Sequence, residues 1–275
     1  MMYNKGAIVQ RILFLTLLFG VSFGFTINAQ DKAMLIEANH KVFVPQGDGP
    51  FPVIIAMPGC SGVSLNGPET DAGRPGMEDD VLFRKHYPYM AKKLQNEGYL
   101  VFLMDYLSAE NVINTCGGEI PHERVAEYVN AAIGYIKTLP EADVSRIHIV
   151  GWSYGGVGVL KWLSNLETDP IGVQSVITIY PGCGGYYSWK SSIPVLMLLG
   201  EADDIAPYKQ CIDLVNSLPE QTNVKIKTYP NARHGFDMPE GPELLPIGHG
   251  MTVGRNEQAG KDAWQEMLSF LGKHN

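Results

Sequence analysis

Two kinds of apolar segment alternate along the chain. Short apolar runs, several of them rich in β-branched residues, predict buried strands at residues 52–57, 99–104, 146–150, 175–180, 194–199 and 224–229. Apolar residues at helical spacing predict helices at residues 80–98, 121–140, 157–166, 206–218 and 255–274. Continuous apolar strands joined by helices are typical of a mostly parallel central sheet with helices on both faces. The pattern therefore predicts a single α/β domain.

Two segments depart from this alternation. Residues 33–45 alternate between apolar and polar positions, which predicts an outer antiparallel strand or a hairpin. Residues 237–254 follow neither the strand period nor the helix period and contain several Gly and Pro residues. We therefore expect residues 237–254 to form an irregular loop over one edge of a site.

The first 29 residues have the layout of a secretory signal peptide. Lys5 and Arg11 precede an uninterrupted run of apolar or small residues at 12–25, and Ala29 is a small residue suited to cleavage. The run is short for a membrane span, which needs about twenty apolar residues. We therefore predict a mature domain of residues 30–275, periplasmic or secreted, with no stable membrane insertion after cleavage. A permanent N-terminal anchor is the alternative.

The charge balance narrows the classes of partner. The chain has 29 Asp and Glu against 21 Lys and Arg, which gives a formal net charge of −8. Residues 1–29 contain two of the basic residues and no acidic one, so their removal takes the charge from −8 to −10. An acidic protein without a cluster of Lys or Arg is poorly suited to nucleic acid or anionic lipid. We expect no nucleic acid partner.

Four cysteines remain after the predicted cleavage, namely Cys60, Cys116, Cys183 and Cys211. In an exported protein this even number permits two disulfides, with three possible connectivities, and free buried thiols are the alternative. We favour the pairing of Cys60 with Cys116 and of Cys183 with Cys211. The spacings contain no CxxC motif, and no set of His, Asp and Glu has the spacing of metal ligands. The sequence therefore predicts no metal site.

A candidate nucleophile follows the predicted strand at 146–150. The residues "GWSYGG" place Ser153 in a G-x-S-x-G motif between that strand and the next predicted helix. In this position the motif forms a nucleophile elbow, a sharp turn that exposes a serine hydroxyl above the sheet. A turn with a purely structural serine is the alternative.

A serine nucleophile needs a base and an orienting carboxylate. Asp203 follows the predicted strand at 194–199, although it could instead cap a helix and leave the orienting role to Asp204. Among seven histidines, His234 alone follows a predicted strand in the required order. The order Ser, Asp, His along the chain is that of the α/β-hydrolases. We therefore expect Ser153, Asp203 and His234 to form a catalytic triad.

The remaining parts of such a site are an oxyanion hole and a substrate pocket. Backbone N–H groups supply the hole, and we assign them to Tyr154 and to Cys60, with Gly59 or Ser61 as alternatives to Cys60. Aromatic residues at or near strand ends could wall an aromatic acyl or sugar-binding pocket, or could belong to the core: Tyr106, Trp152, Tyr186, Tyr187 and Trp189.

Residues 34–272 resemble the dienelactone hydrolase family of α/β-hydrolases. The resemblance rests on "GWSYGG", "GEADDIAP" and "ARHGF", on their separations, and on a closing helix that is similar to the last helix of that family. It implies a single α/β-hydrolase domain that needs no cofactor. It also implies hydrolysis of ester or lactone bonds of a small molecule through an acyl-enzyme intermediate.

The sequence also departs from that family. The name-giving enzymes have a cysteine nucleophile, a glutamate in the first oxyanion loop and two arginines that bind the substrate carboxylate. Here the nucleophile is Ser153, the loop reads Pro-Gly-Cys, and the stretches that would hold the arginines read "DYLSAEN" and "HGFDM". Dienelactone is therefore a poor candidate substrate. The alternatives are a peptidase that resembles the catalytic domain of prolyl oligopeptidases and a non-catalytic binding protein of the same fold.

Overall fold

The computed structural model of the protein describes residues 40–63, 78–220 and 222–275. The predicted signal peptide, residues 1–29, lies outside the described residues, as do residues 33–39 of the predicted outer strand. Among the helices that the structure describes, none combines the length and the apolar character needed to cross a membrane.

The described part of the chain contains nine strands and six helices. The strands β1 to β9 are His40–Phe43, Phe51–Met57, Leu100–Met104, Ala142–Trp152, Val173–Ile179, Val195–Gly200, Val224–Tyr229, Leu245–Gly248 and Met251–Val253. The helices α1 to α6 are Glu78–Asn96, Tyr106–Ala109, His122–Ile136, Ser153–Ser164, Tyr208–Ser217 and Glu257–Lys273.

Seven strands form one sheet in the order β1-β3-β2-β4-β5-β6-β7. Every neighbouring pair in this sheet is parallel except β1 and β3, which are antiparallel. The prediction of a mostly parallel sheet is confirmed. So is the outer antiparallel strand, which occupies His40–Phe43 at the sheet edge.

Both faces of the sheet are covered by helices. Successive side chains of a strand point to opposite faces, so a continuous apolar strand has two apolar faces to bury. In β2, Val53, Ile55 and Met57 pack in the core cluster that contains residues of α3, α4 and α5. Ile54 and Ala56 pack in the other cluster, with residues of α1 and α6. Burial of one such Val or Ile side chain contributes about 1.5–3 kcal/mol. The continuous apolar runs are therefore strands with two buried faces.

Two short elements differ from the prediction. Residues 237–254 were expected to be an irregular loop, but they contain β8 and β9, which pair as a separate antiparallel hairpin. The turn between them has His249 and Gly250 in the left-handed region, with φ of 51° and 75°. Strands of four and three residues are too short to show a period of two in the sequence. The helix α2 was not predicted because four residues are also too few to show the helical spacing of apolar residues.

Two disulfides cross-link the loops that follow strands β2 and β5 to other parts of the chain. Cys60 follows β2 and is bonded to Cys116, and Cys183 follows β5 and is bonded to Cys211 of α5. These are the pairs favoured from the sequence. Cys183 and Cys211 are 5% and 0% exposed, whereas Cys116 is exposed to solvent. The two bonds therefore differ in their access to a reductant.

We predict that a mild reductant opens the Cys60–Cys116 disulfide before the Cys183–Cys211 disulfide, because thiol–disulfide exchange requires access to a sulfur atom. Stepwise reduction followed by alkylation and peptide mass analysis measures the order. A Cys60→Ser, Cys116→Ser double variant is the control, since it should lose only the rapidly labelled pair. Labelling of Cys183 and Cys211 first would contradict the prediction.

Candidate active site

Ser153 lies in a turn of the nucleophile-elbow type. Strand β4 ends at Trp152 and helix α4 begins at Ser153, whose φ of 48° lies in the left-handed region. For a residue with a side chain this conformation costs about 1–2 kcal/mol. Such a conformation persists only where the surrounding structure holds it. The contacts around this turn thus hold the candidate nucleophile in a strained conformation at the start of α4.

The glycines beside Ser153 are required by close backbone packing. A Cβ atom on Gly155 would overlap the carbonyl oxygens of Met57 and Pro58, which end β2 and begin the next loop. A Cβ atom on Gly151 would lie 2.8 Å from the Cα of Gly156. The motif predicted from the sequence thus has a direct physical cause, since a larger residue would push the turn away from β2 at Gly155 and would collide with the start of α4 at Gly151.

His234 connects Ser153 to an acid. Its Nε2 lies 2.8 Å from Ser153 Oγ, and its Nδ1 lies 2.8 Å from Asp203 Oδ2. The side chains of His234 and Asp203 are 6% and 0% exposed, so water competes little for these contacts. The structure therefore brings the three residues predicted from the sequence into one hydrogen-bonded relay.

The two adjacent acids have different partners. Asp203 Oδ1 accepts hydrogen bonds from the backbone N–H groups of Ile205 and Ala206, at 2.9 and 2.8 Å, which leaves Oδ2 for His234. Asp204 instead accepts from the backbone N–H and the hydroxyl of Thr252, at 2.9 and 2.6 Å. Asp203, and not Asp204, is therefore the acid that faces the histidine.

Asp204 anchors strand β9 beside the relay. Burial alone would raise the pKa of Asp204, but the hydrogen bonds from Thr252 and the charge of Arg233 outweigh burial and hold the pKa below its ordinary value. Strand β9 in turn contacts the histidine, because Val253 forms a single β-bridge with His234 and Gly254 N–H donates to the His234 carbonyl at 3.0 Å. The hairpin that the sequence did not reveal thus supports the base.

The loop after β2 borders Ser153 and is held by hydrogen bonds from two buried side chains. A Cβ atom on Gly59 would lie 3.2 Å from Ser153 Cβ, so the loop passes directly beside the serine. The hydroxyl of Tyr106 donates to the Pro58 and Gly59 carbonyls at 2.9 and 3.2 Å. The buried Arg84 donates from Nε to the Ser61 carbonyl at 2.9 Å. The sequence analysis did not single out Arg84, because its position on a helix carries no motif.

A cavity of about 820 Å³ opens at Ser153 and His234. Cys60 and Tyr154, the predicted oxyanion residues, both belong to its wall. The other described wall residues with large side chains are Phe83, Tyr87, Asn114, Cys116, His122, Val157, Tyr187, Ile205, Ile247, His249, Met251 and Val253. No Lys, Arg, Asp or Glu occurs in the wall among the residues that the structure describes. The cavity is therefore largely apolar and without a fixed charge.

His122 and Tyr154 form one side of this cavity. Their ring centroids lie 4.6 Å apart, and Tyr154 is in the first turn of α4. Burial lowers the pKa of His122, which favours the neutral form of its imidazole. Backbone N–H groups in the first turn of a helix have no partner within that helix. The N–H of Tyr154 is thus placed to donate to a group in the cavity.

Of the five aromatic residues considered for the pocket, Tyr187 alone belongs to the cavity wall. Tyr106, Trp152 and Trp189 are 0%, 1% and 3% exposed and belong to the core rather than to the cavity wall. Tyr186 is fully exposed and lies outside the wall, whereas Tyr187 belongs to it. A strand end places a residue near the site, but the side to which its side chain points depends on packing.

Two further features lie outside the relay. In residues 40–63, 78–220 and 222–275, no group of three or more His, Cys, Asp or Glu side chains could hold a metal ion. A second cavity of about 510 Å³ lies between α1 and α6, with Lys93, Asp237 and Trp264 in its wall. It contains none of the three relay residues.

Solved structures of other proteins share this fold. A provisionally named dienelactone hydrolase from Klebsiella pneumoniae is 18% identical, with a TM-score of 0.61 over 83% of this chain and 90% of that one. A dienelactone hydrolase-like promiscuous phosphotriesterase from metagenomic libraries is 16% identical, with a TM-score of 0.59 over 87% and 95%. Esterase 2 of Thermogutta terrifontis, phosphoramylated by tabun, is 13% identical, with a TM-score of 0.56 over 85% and 88%.

At these identities the similarity concerns the fold alone. No curated protein sequence matches the chain at a significant level. The family model described as "Dienelactone hydrolase family" matches residues 80–275, which is more than half of the chain and includes all three relay residues. On this match, the chain belongs to the dienelactone hydrolase family.

Proposed function

We propose that this protein is a serine hydrolase that cleaves a carboxylic ester or lactone bond of a small substrate through an acyl-enzyme intermediate. The observation that carries the proposal is the relay of two 2.8 Å contacts that joins Ser153, His234 and Asp203. Membership of a hydrolase family and the open cavity at Ser153 support it.

In the first step, Ser153 Oγ attacks the substrate carbonyl carbon while His234 Nε2 accepts the hydroxyl proton. Asp203 accepts a hydrogen bond from His234 Nδ1 and so selects the tautomer whose Nε2 is free to accept. The resulting imidazolium then gives its proton to the leaving alcohol oxygen as the C–O bond breaks. Ser153 is left as an acyl ester.

Two backbone N–H groups would stabilise the tetrahedral oxyanion. The N–H of Tyr154 lies in the first turn of α4, and that of Cys60 lies in the loop that passes beside Ser153. Loss of one such donor typically costs about 3 kcal/mol of transition-state stabilisation. The contacts of Tyr106 and Arg84 with the same loop would hold the Cys60 donor in place.

Water completes the reaction. His234 accepts a proton from a water molecule as the water oxygen attacks the acyl carbon, and then returns that proton to Ser153 Oγ as the ester bond breaks. The products are a carboxylic acid and the free enzyme. For a lactone, one molecule carries both the acid and the alcohol.

We also propose that the protein acts outside the cytoplasm. The signal-peptide layout of residues 1–29 supports export, and two disulfides are typical of an oxidising compartment. Detection of the cleaved chain in a periplasmic or culture fraction would support this location, and retention of the full-length chain in the cytoplasm would contradict it.

The first prediction from the proposed function concerns the nucleophile. Replacement Ser153→Ala should lower kcat for a p-nitrophenyl ester by at least about a thousandfold, since the acyl-enzyme cannot form. A fluorophosphonate probe should label the wild-type chain and not the variant, while the thermal unfolding midpoint stays near that of the wild type. Labelling without ester turnover, together with cleavage of fluorogenic peptides, would favour the peptidase alternative. A wild-type chain that is neither labelled nor active would favour a binding protein.

The second prediction separates the two acids. Replacement Asp203→Asn should lower kcat by about 10⁴-fold, because an amide would stabilise the wrong histidine tautomer. Replacement Asp204→Asn is the matched control and should change kcat by less than about tenfold, since Asp204 contacts Thr252 and not His234. Steady-state kinetics on one ester measures both. A larger loss in the Asp204 variant would contradict the assignment.

The third prediction concerns substrate charge. Among the described residues, the cavity wall has no cation to pair with a carboxylate. We therefore expect kcat/KM for p-nitrophenyl valerate to exceed that for mono-p-nitrophenyl glutarate by at least about tenfold, because the unpaired carboxylate would be desolvated. The two esters have acyl chains of equal length and the same leaving group. Equal rates, or a preference for the glutarate, would show that a cation reaches the substrate.

A further inference from the structure

A second buried polar cluster lies next to the relay and has no part in the proton transfers. At its centre is the carboxylate of Asp237, whose side chain is 5% exposed. Asp237 Oδ2 accepts a hydrogen bond from Trp152 Nε1 at 2.9 Å, and Oδ1 accepts one from the Tyr180 hydroxyl at 2.7 Å. His86 Nε2 lies 3.2 Å from Oδ2. We call these four residues the Asp237 cluster.

The cluster keeps a carboxylate charged in a buried place. Burial alone would raise the pKa of Asp237, but the adjacent His86 and the hydrogen bonds from Tyr180 and Trp152 outweigh burial and hold the pKa below its ordinary value. A charge held in this way accepts stronger hydrogen bonds than a neutral group does. The two donors are therefore fixed more firmly than by packing alone.

One donor belongs to the turn that carries the nucleophile. Trp152 directly precedes Ser153 and is the N-cap residue of α4. Its indole is 1% exposed and lies edge-on to the ring of His86, at a centroid distance of 6.0 Å. The hydrogen bond at the indole nitrogen thus fixes the side chain of the residue directly before Ser153.

The other donor faces the base. The ring of Tyr180 lies against the ring of His234, with centroids 4.5 Å apart, and Tyr180 has a φ of 40°. Tyr180 and Ser153 are thus two non-glycine residues in the left-handed region, of which Ser153 belongs to the relay and Tyr180 contacts it. Such conformations require surrounding structure that holds them. The hydroxyl of Tyr180 is held by Asp237, which follows His234 by three residues.

We propose that Asp237 is a positioning residue for the proposed hydrolysis: through Trp152 and Tyr180 it fixes where the Ser153 turn and the His234 ring lie relative to each other. The inference rests on the proposed serine-hydrolase function. Asp237 touches no reacting atom, so its effect reaches the reaction only through the geometry of the Ser153–His234 contact. Small displacements of reacting groups have large effects, since a shift of about 1 Å can lower a rate about a hundredfold.

The experiment compares Asp237→Ala with Asp237→Asn in the full mature chain. Asparagine has the same shape, and its oxygen can accept from Trp152 while its amide donates to the Tyr180 hydroxyl, which is able to accept. We expect Asp237→Ala to lower kcat by about ten- to a hundredfold, with KM within about threefold of the wild-type value. Asp237→Asn should recover most of the lost kcat, because it restores both hydrogen bonds.

Ser175→Ala is the matched control for loss of a buried hydrogen bond. Ser175 is 0% exposed and lies 2.8 Å from His148 within the sheet, away from the cavity. We expect this variant to lower the thermal unfolding midpoint without lowering kcat at temperatures well below that midpoint. A loss of kcat at Asp237 that merely followed stability would appear in Ser175→Ala as well, and that result would overturn the proposal.

Tyr180→Phe tests the same link without changing the carboxylate. It keeps the ring against His234 and removes only the hydroxyl, so it should lower kcat in the wild-type background and have little further effect in Asp237→Ala. If Asp237→Ala does not fold, Tyr180→Phe decides, and wild-type kcat in that variant overturns the proposal. Full kcat in a folded Asp237→Ala variant also overturns it.

The two proposals fail in different ways. If the wild-type chain shows no ester turnover and no fluorophosphonate labelling, the serine-hydrolase function itself fails. If the wild-type chain is active and labelled while the Asp237 variants keep its kcat, only the positioning role fails. The rate of fluorophosphonate labelling provides a second readout, since it depends on Ser153 reactivity and should fall in parallel with kcat.

Discussion

The backbone of the Ser153 turn lies so close to the end of β2 that no side-chain carbon fits between them. Gly155 contacts the carbonyl oxygens of Met57 and Pro58, and a Cβ atom there would force the two segments apart. Two consequences follow from this single contact. The serine is held in a left-handed conformation at the start of α4, and the loop that carries Cys60 passes directly beside it.

Each loop that contributes to the site is fixed by its own polar contacts. Arg84 and Tyr106 bind the carbonyl groups of the loop after β2, and a disulfide joins that loop to Cys116. Asp204 accepts hydrogen bonds from Thr252 of β9, and the next residue of that strand, Val253, pairs with His234. Loops have few apolar contacts of their own, so hydrogen bonds and disulfides hold these loops in the way that core packing holds the strands. The relay is thus supported from several independent directions.

The parts of this structure that were predictable carry a strong local pattern. The strand at 52–57 was found because both of its faces are buried, and the elbow was found because the glycines beside Ser153 are required by packing. Ser153, Asp203 and His234 were expected in one site because each follows a predicted strand, and because their order along the chain is that of the α/β-hydrolases. The hairpin β8–β9 and the contacts of Asp237 have no such local pattern, and they were not found.

The sequence by itself determined the fold class, Ser153 and His234 as relay residues, the loop that supplies the acid, and the turn that carries the nucleophile. Each of these depends on spacing along a strand or helix, or on a residue type that the backbone requires. Only the tertiary structure decided that Asp203 rather than Asp204 faces His234, that Tyr187 and not Tyr186 lines the cavity, and that Trp152 is buried against Asp237. These outcomes depend on the direction of side chains at strand ends and in loops. That direction is set by contacts between segments far apart in the chain, which no local pattern encodes.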